Sequence, residues 1–181
     1  MFSLFDVGGT KIRVAVADDR GIKGEAVITS TPTDFEKCVA HIVDTTRTLS
    51  QGEKITQVVG GLAGALDRDH TMLVSGLNIA SWVAKPIKKL LEEAFQTSVS
   101  LENDAALAGL GEATSGAGKD YKIVGYITVS TGVGGVRITN RAIDAHVFGF
   151  EPGYQIVDAD GSLCSRCKRH DLSAHISGRG I

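Results

Sequence analysis

Apolar residues recur with two different periods along this chain, and the period changes where turn-forming residues intervene. Leu4-Phe5-Asp6 and Ile12 to Ala17 read as short strands on either side of Val7-Gly8-Gly9-Thr10. Asp18-Asp19-Arg20-Gly21 has turn chemistry and Gly24 to Ile28 reads as a third strand, so the opening predicts an antiparallel three-strand meander. The period then becomes helical. Thr33-x-x-Glu36 behind Pro32 has the form of a capping box, Phe35, Val39, Ile42, Thr46 and Leu49 share one face, and Gly52 is the expected stop. Ile55 to Val59 predicts a short buried strand that runs into a second glycine turn, Gly60-Gly61-Leu62-Ala63-Gly64.

Shorter signals follow. Thr71 to Val74 reads as a strand, and Leu77 to Trp82 as a loop whose tryptophan is favoured as a core residue over a binding residue because aromatic side chains dominate burial. Pro86 suits the first turn of a helix with Ile87, Leu90, Leu91, Ala94 and Phe95 as its apolar stripe. Ser98 to Leu101 is the next strand. It stops at Glu102-Asn103-Asp104, where an alanine-rich helix begins and continues to Thr114. Gly116 to Gly118 suggests a junction, dividing the chain into a domain at 1–117 and a second at 118–181. Beyond it, Ile123 to Val129, Ser130-Thr131-Gly132-Val133-Gly134-Gly135 and Val136 to Thr139 repeat the opening scheme of strand, glycine turn, strand. A short amphipathic segment, Leu172 to Ile176, comes near the end. The pattern as a whole is α/β.

Composition narrows the classes. Of 181 residues 43% are hydrophobic and 22% charged, as in ordinary soluble domains, and the net charge of -2 implies no broad basic surface for nucleic acid. No apolar run approaches the ~20 residues of a membrane span, and the N-terminus lacks the pattern of a secretory signal. Three cysteines, an odd number, do not suggest a disulfide framework, so a reducing cytoplasm is the expectation. The 22 glycines against 3 prolines favour tight backbone turns at strand ends.

Those turns carry the candidate chemistry. In Asp6-Val7-Gly8-Gly9-Thr10-Lys11, glycines allow close approach of backbone N–H groups to a phosphate, Asp6 is suited to orienting a metal-bound water, and Lys11 adds a cation. An ordinary hairpin turn is the alternative for that stretch alone. Polar residues gathered where a strand ends and a helix starts, as at Glu102-Asn103-Asp104, occupy the place where α/β folds put chemistry.

Four stretches together resemble the ROK family of repressors and sugar kinases, within the actin/hexokinase/Hsp70-like superfamily: Asp6 to Lys11, Glu102-Asn103-Asp104-Ala105, Ser130 to Gly135, and Glu151-Pro152-Gly153-Tyr154. The resemblance implies a ribonuclease-H-like, actin-type ATPase domain with a mixed sheet and the beginning of a second similar domain. It implies ATP-dependent phosphorylation of a hexose or N-acyl-hexosamine in a cleft between the two. Gly8, Gly9, Thr10 and Lys11 would then hold phosphates, Thr131, Gly132 and Gly134 would close on them, and Asp6 would place magnesium (Mg2+) through water. Asp104 would be the general base, unless it only caps its helix; Gly64, Asn78, Asn103 and Glu151 would contact the sugar, and Glu102 would be structural. The resemblance further implies a homodimer, while charge, hydropathy and cysteine usage keep the expectation of a cytoplasmic protein with no nucleic-acid or membrane partner.

The sequence departs from that family in three ways. The family's Gly-x-Pro-Gly is Gly61-Leu62-Ala63-Gly64 here. The zinc motif is altered: Tyr154 replaces its histidine, Arg166 and Asp171 stand at two cysteine positions, and Ser173 stands at a glutamate that contacts sugar. A tetrahedral structural zinc needs four N or S ligands, so only a rearranged site using Cys164 and Cys167, with His170 and His175 nearby, would bind it. Family members also continue well beyond Ser177-Gly178, so the expectation is a fragment or shortened protein with part of the ATP site missing. A non-catalytic sugar-binding or regulatory protein is the competing functional expectation.

Overall fold

The computed structural model describes residues 1–76, 79–130, 132–144, 150–160 and 170–178. The chain forms two compact units, Met1–Asp104 and Ala105–Ile181.

The first unit is built on a five-stranded mixed sheet. β1 (Phe2–Val7), β2 (Lys11–Asp18) and β3 (Gly21–Ser30) make the antiparallel meander expected from the sequence, each strand reaching slightly further than its apolar pattern. α1 (Phe35–Ser50) follows, then β4 (Gln57–Leu62), the small hairpin of β5 (Ala65–Leu66) and β6 (Leu73–Ser75), α2 (Ile87–Phe95), β7 (Val99–Asn103), and the first residue of α3 (Asp104–Thr114). The strand order is β3-β2-β1-β4-β7, with β4 parallel to both β1 and β7. This mixed sheet agrees with the expected α/β class.

α1 packs against β2, and α2 against α1 and β7. Phe35, Cys38, Val39, Ile42 and Val43 bury one stripe of α1 against Phe5, Val7, Val14 and Val58 of the sheet. Each fully buried aliphatic side chain contributes roughly 1.5–3 kcal/mol relative to exposure. Ser3 Oγ and Thr46 Oγ1 pair at 2.8 Å within that core, so both hydroxyls are satisfied where β1 meets the helix. Trp82 is 1% exposed and meets Phe35 edge-on at 5.2 Å, which supports its reading as a core residue. Burial pushes the Cys38 thiol up to about 12.

Two local expectations are corrected. The α1 cap is Asp34, whose Oδ1 accepts the Lys37 N–H at 2.8 Å, in place of a Thr33–Glu36 box. Asp34 has the extended backbone that an N-cap needs, and its carboxylate also suits the positive end of the helix. Gly60-Gly61-Leu62, expected as a turn, continues β4. The reason is packing: a Cβ at Gly60 would lie 2.0 Å from the Phe5 ring, so the glycine lets the ring lie across the strand.

In the second unit, β8 (Ile123–Val129) and β9 (Val133–Thr139) pair antiparallel, and β10 (Ala142–Ile143) joins the far side of β9. α3 lies close to this sheet: a Cβ at Gly109 would fall 2.2 Å from Val136 Cγ1, and Ala106, Ala113, Val136 and Ile138 form the core. α4 (Leu172–Ile176) has the bounds expected from its apolar pattern. No helix among the described residues is long and apolar enough to cross a membrane.

The capping assignment gives a direct test. Asp34→Ala is expected to lower unfolding stability by about 1 kcal/mol, while Thr33→Ala changes it by less than about 0.5, as measured by urea denaturation of the two variants.

Candidate active site

Parallel pairing of β1, β4 and β7 sets the geometry of the first unit's site. Asp6 stands opposite Gly61, and Gly61 opposite Glu102; one position on, Val7, Leu62 and Asn103 form the next row. Three strands therefore end together, and two loops and the start of α3 leave from one edge of the sheet. Alternation places Asp6 and Glu102 on one face and Val7 and Leu62, both fully buried, on the other. The loops are tied across this edge, since Ala63 N–H donates to Val7 O at 3.0 Å.

After β1, the glycine turn closes with Gly8 N–H donating to Lys11 O at 3.0 Å, while Gly9, Thr10 and Lys11 are exposed at its tip. Thr31, at the end of β3, holds the turn from the side. Its Oγ1 donates to Gly8 O at 2.7 Å, and its N–H to Thr10 O at 3.0 Å. Asp6 Oδ2 accepts Arg13 Nη1 at 2.7 Å, and the two are register partners across the β1–β2 pair. Sequence reasoning missed both Thr31 and Arg13. The cross-strand spacing of the meander was the signal that could have found them.

At the end of β7, Glu102 Oε1 accepts the Asn103 N–H at 2.8 Å, and Asn103 Nδ2 donates to Gly64 O at 3.1 Å. Gly64 and Asn103, both singled out from the sequence, are thus in contact. Gly64 also lies where a Cβ would be 2.3 Å from Ser75 O, so the tight β5–β6 hairpin accounts for that glycine by itself. Asp104 is the first residue of α3, directly after Asn103. Asn78 lies outside the described residues.

The β5–β6 hairpin is pinned by Asp67. Its carboxylate accepts the Thr71 N–H at 2.5 Å, Thr71 Oγ1 at 2.6 Å and the Met72 N–H at 3.1 Å. The Thr71 hydroxyl first, and then the backbone donors, hold the Asp67 carboxyl below its ordinary value. The hairpin also brings His70 to the end of β7, a contact the sequence did not announce.

In the second unit, the β8–β9 turn closes with Ser130 N–H donating to Gly132 O at 2.8 Å, and Gly178 N–H donates to Ser130 O at 2.7 Å. Gly134 lies in β9, where an added Cβ would make only ordinary contact with Ala105. Glu151 precedes a short 3-10 turn, Pro152–Tyr154. Gly153 is packed so closely that a Cβ would meet Val133 O at 2.1 Å. Ser173 Oγ accepts the Val133 N–H at 3.3 Å, and Asp171 caps α4 by accepting the Ala174 N–H at 3.0 Å. Thr131, Cys164 and Cys167 lie outside the described residues. Among the described residues, no group of three or more His, Cys, Asp or Glu is gathered to hold a metal ion.

A folded-state pKa held down at Asp67 contributes stability above the unfolded value of about 3.8, and this is lost as pH falls through the folded value. Thr71→Val is expected to move the Asp67 carboxyl back towards that value and to weaken the acid resistance of the hairpin, as read by carboxyl-carbon NMR titration.

The ROK family model matches residues 4–181. A glucokinase of Streptomyces coelicolor is 33% identical over 178 residues, covering 97% of this chain and 56% of that protein. An N-acetyl-D-glucosamine kinase of Vibrio atlanticus is 30% identical over 197 residues, covering 100% of this chain and 64% of that protein. Among solved structures, a ROK family glucokinase from Streptomyces griseus in complex with glucose and AMPPNP superposes with a TM-score of 0.83 at 32% identity, covering 97% of this chain and 57% of that one. The chain thus spans little more than half the length of the relatives it matches. With its mixed-sheet fold and its motifs in order from β1 to α4, the chain belongs to the ROK family.

Proposed function

We propose that the protein takes part in ATP-dependent phosphorylation of a hexose or an N-acyl-hexosamine, with Asp104 as general base. The observation that carries this reading is the strand register. It gathers Asp6, the exposed glycine turn and Asn103 at one edge of one sheet, and Asp104 follows Asn103 directly as the first residue of α3. The kinase names of the Streptomyces and Vibrio relatives support the choice of substrate class.

The chemistry divides among these residues. An acceptor hydroxyl of the sugar attacks the γ-phosphorus, the bond from that phosphorus to the bridging oxygen breaks, and ADP leaves. Asp104 takes the hydroxyl proton. Its position at the start of an 11-residue helix places the carboxyl at the positive end of the helix dipole. Asn103 orients the acceptor by hydrogen bonding to its hydroxyls, with its Nδ2 already directed by Gly64 O. Gly9, Thr10 and Lys11 meet the phosphates, held in place by Thr31.

Magnesium, when bound, neutralises charge on the transferring phosphoryl group. Asp6 is the residue that would hold it. One carboxylate oxygen is engaged by Arg13, which suits contact through water more than direct ligation. Thr131, Gly132 and Gly134 are assigned phosphate contacts and Glu151 sugar hydroxyls on the family pattern.

A sugar-binding protein without turnover is the second reading. It is favoured by Ser173, whose hydroxyl is bonded to the Val133 backbone where the family pattern has a sugar-contacting glutamate. Release of ADP from ATP, followed with glucose, mannose and their N-acetylamino counterparts, separates the two. Asp104→Asn is expected to reduce turnover at least about 100-fold while hexose affinity measured by calorimetry is retained. Undiminished turnover in that variant would remove Asp104 as the base, and hexose binding by the unaltered protein with no ADP release would favour the second reading.

A further inference from the structure

His70 sits in the β5–β6 hairpin with φ of 51°, in the left-handed region that costs an L-residue other than glycine, with histidine among the residues that tolerate it. Its ring reaches the end of β7. Nδ1 is 3.0 Å from Leu101 O and 3.4 Å from Glu102 Oε2. Both neighbours are acceptors, so Nδ1 carries the proton; it donates to Leu101 O, and Glu102 Oε2 lies beside it at 3.4 Å. The other Glu102 oxygen, Oε1, accepts the Asn103 N–H, and Asn103 Nδ2 donates to Gly64 O. A continuous path thus runs from the hairpin through His70, Glu102 and Asn103 to the loop after β4. Asp67 makes the hairpin end of that path firm.

Glu102 needs such support. Its side chain is 22% exposed, so water competes for both oxygens. A carboxylate in contact with water can rotate away from a single backbone N–H at small cost. The Nδ1–H edge of a ring fixed by a pinned hairpin, 3.4 Å from Oε2, restricts that freedom by electrostatic attraction and by contact. The bond from Glu102 to the Asn103 N–H then sets the backbone from which the Asn103 amide projects.

We propose that His70 is a positioning residue: it holds Glu102 in the rotamer that secures Asn103, and through Asn103 it tunes the affinity of the acceptor hydroxyl site. The substrate half of this statement rests on the sugar-kinase reading above; the positioning half does not. Discrimination between closely related hexoses depends on how firmly such an amide is held, because a loose amide accommodates more than one hydroxyl arrangement.

The test uses two variants and two readouts. His70→Gly deletes the ring while suiting the left-handed backbone; His70→Asn also suits that backbone and restores a short N–H donor. Exchange of the Asn103 backbone amide is followed by NMR, and hexose affinity by calorimetry. His70→Gly is expected to speed Asn103 exchange about tenfold and to weaken hexose binding by a similar factor, with His70→Asn recovering part of both. Equal Asn103 exchange in His70→Gly and the unaltered protein would overturn the proposal whatever the sugar does. Faster exchange that His70→Asn fails to recover would also overturn it, by making the ring a packing element only. If Asn103 exchange responds and recovers but the unaltered protein binds no hexose, positioning by His70 is supported and the sugar-kinase reading falls.

Discussion

The first unit's candidate site depends on one constraint, the in-register parallel pairing of β1, β4 and β7. Parallel strands that end at the same level deliver their following loops to one edge, which is why α/β sheets place ligands at the carboxyl ends of strands. A slip of one residue would send Asp6 to the buried face and bring Val7 to the surface. The register is fixed from the interior. Phe5 lies across Gly60, Val7 and Leu62 are fully enclosed, and Ser3 meets Thr46 of α1. Core packing therefore fixes the register that brings the strand ends of the candidate site together.

Much of the fold was legible because its signals are local. The meander, the apolar stripe of α2, and the bounds of β8 and α4 follow from alternation, helical spacing and turn residues within short windows. The misreadings arose where a distant partner decided the outcome. Gly60 looked like turn chemistry, yet it is a strand residue because a ring from β1 occupies the space of its side chain. Thr33 and Asp34 both suit a cap, and the competition is settled by which one takes up the extended backbone before Phe35. The candidate site shows the same division. Glycine turns and the Glu102-Asn103-Asp104 cluster stand out in the sequence. Arg13, Thr31 and His70 do not, because each acts on a residue carried by another strand or loop.

In the second unit, short polar side chains tie the described part of the C-terminal segment to the backbone. Ser173 and Asp171 both have backbone partners: Ser173 takes an N–H of β9, and Asp171 caps α4. Gly153 leaves no room for a side chain beside Val133 O, which keeps the Pro152–Tyr154 turn close to β9. Short polar side chains that bond the backbone can hold such a segment by capping and turn chemistry.

Thr31 links the glycine turn to the last residues of β3, and β3 is the outer strand of its sheet, exposed along most of its length. Edge strands open more readily than central ones, because fewer contacts must break. Local fraying at the end of β3 would release the carbonyls of Gly8 and Thr10 together. The mobility of the turn is thereby coupled to a strand that contributes little to the core, and substitutions on the solvent side of that strand could adjust the turn's opening rate without altering a residue of the turn or of the core.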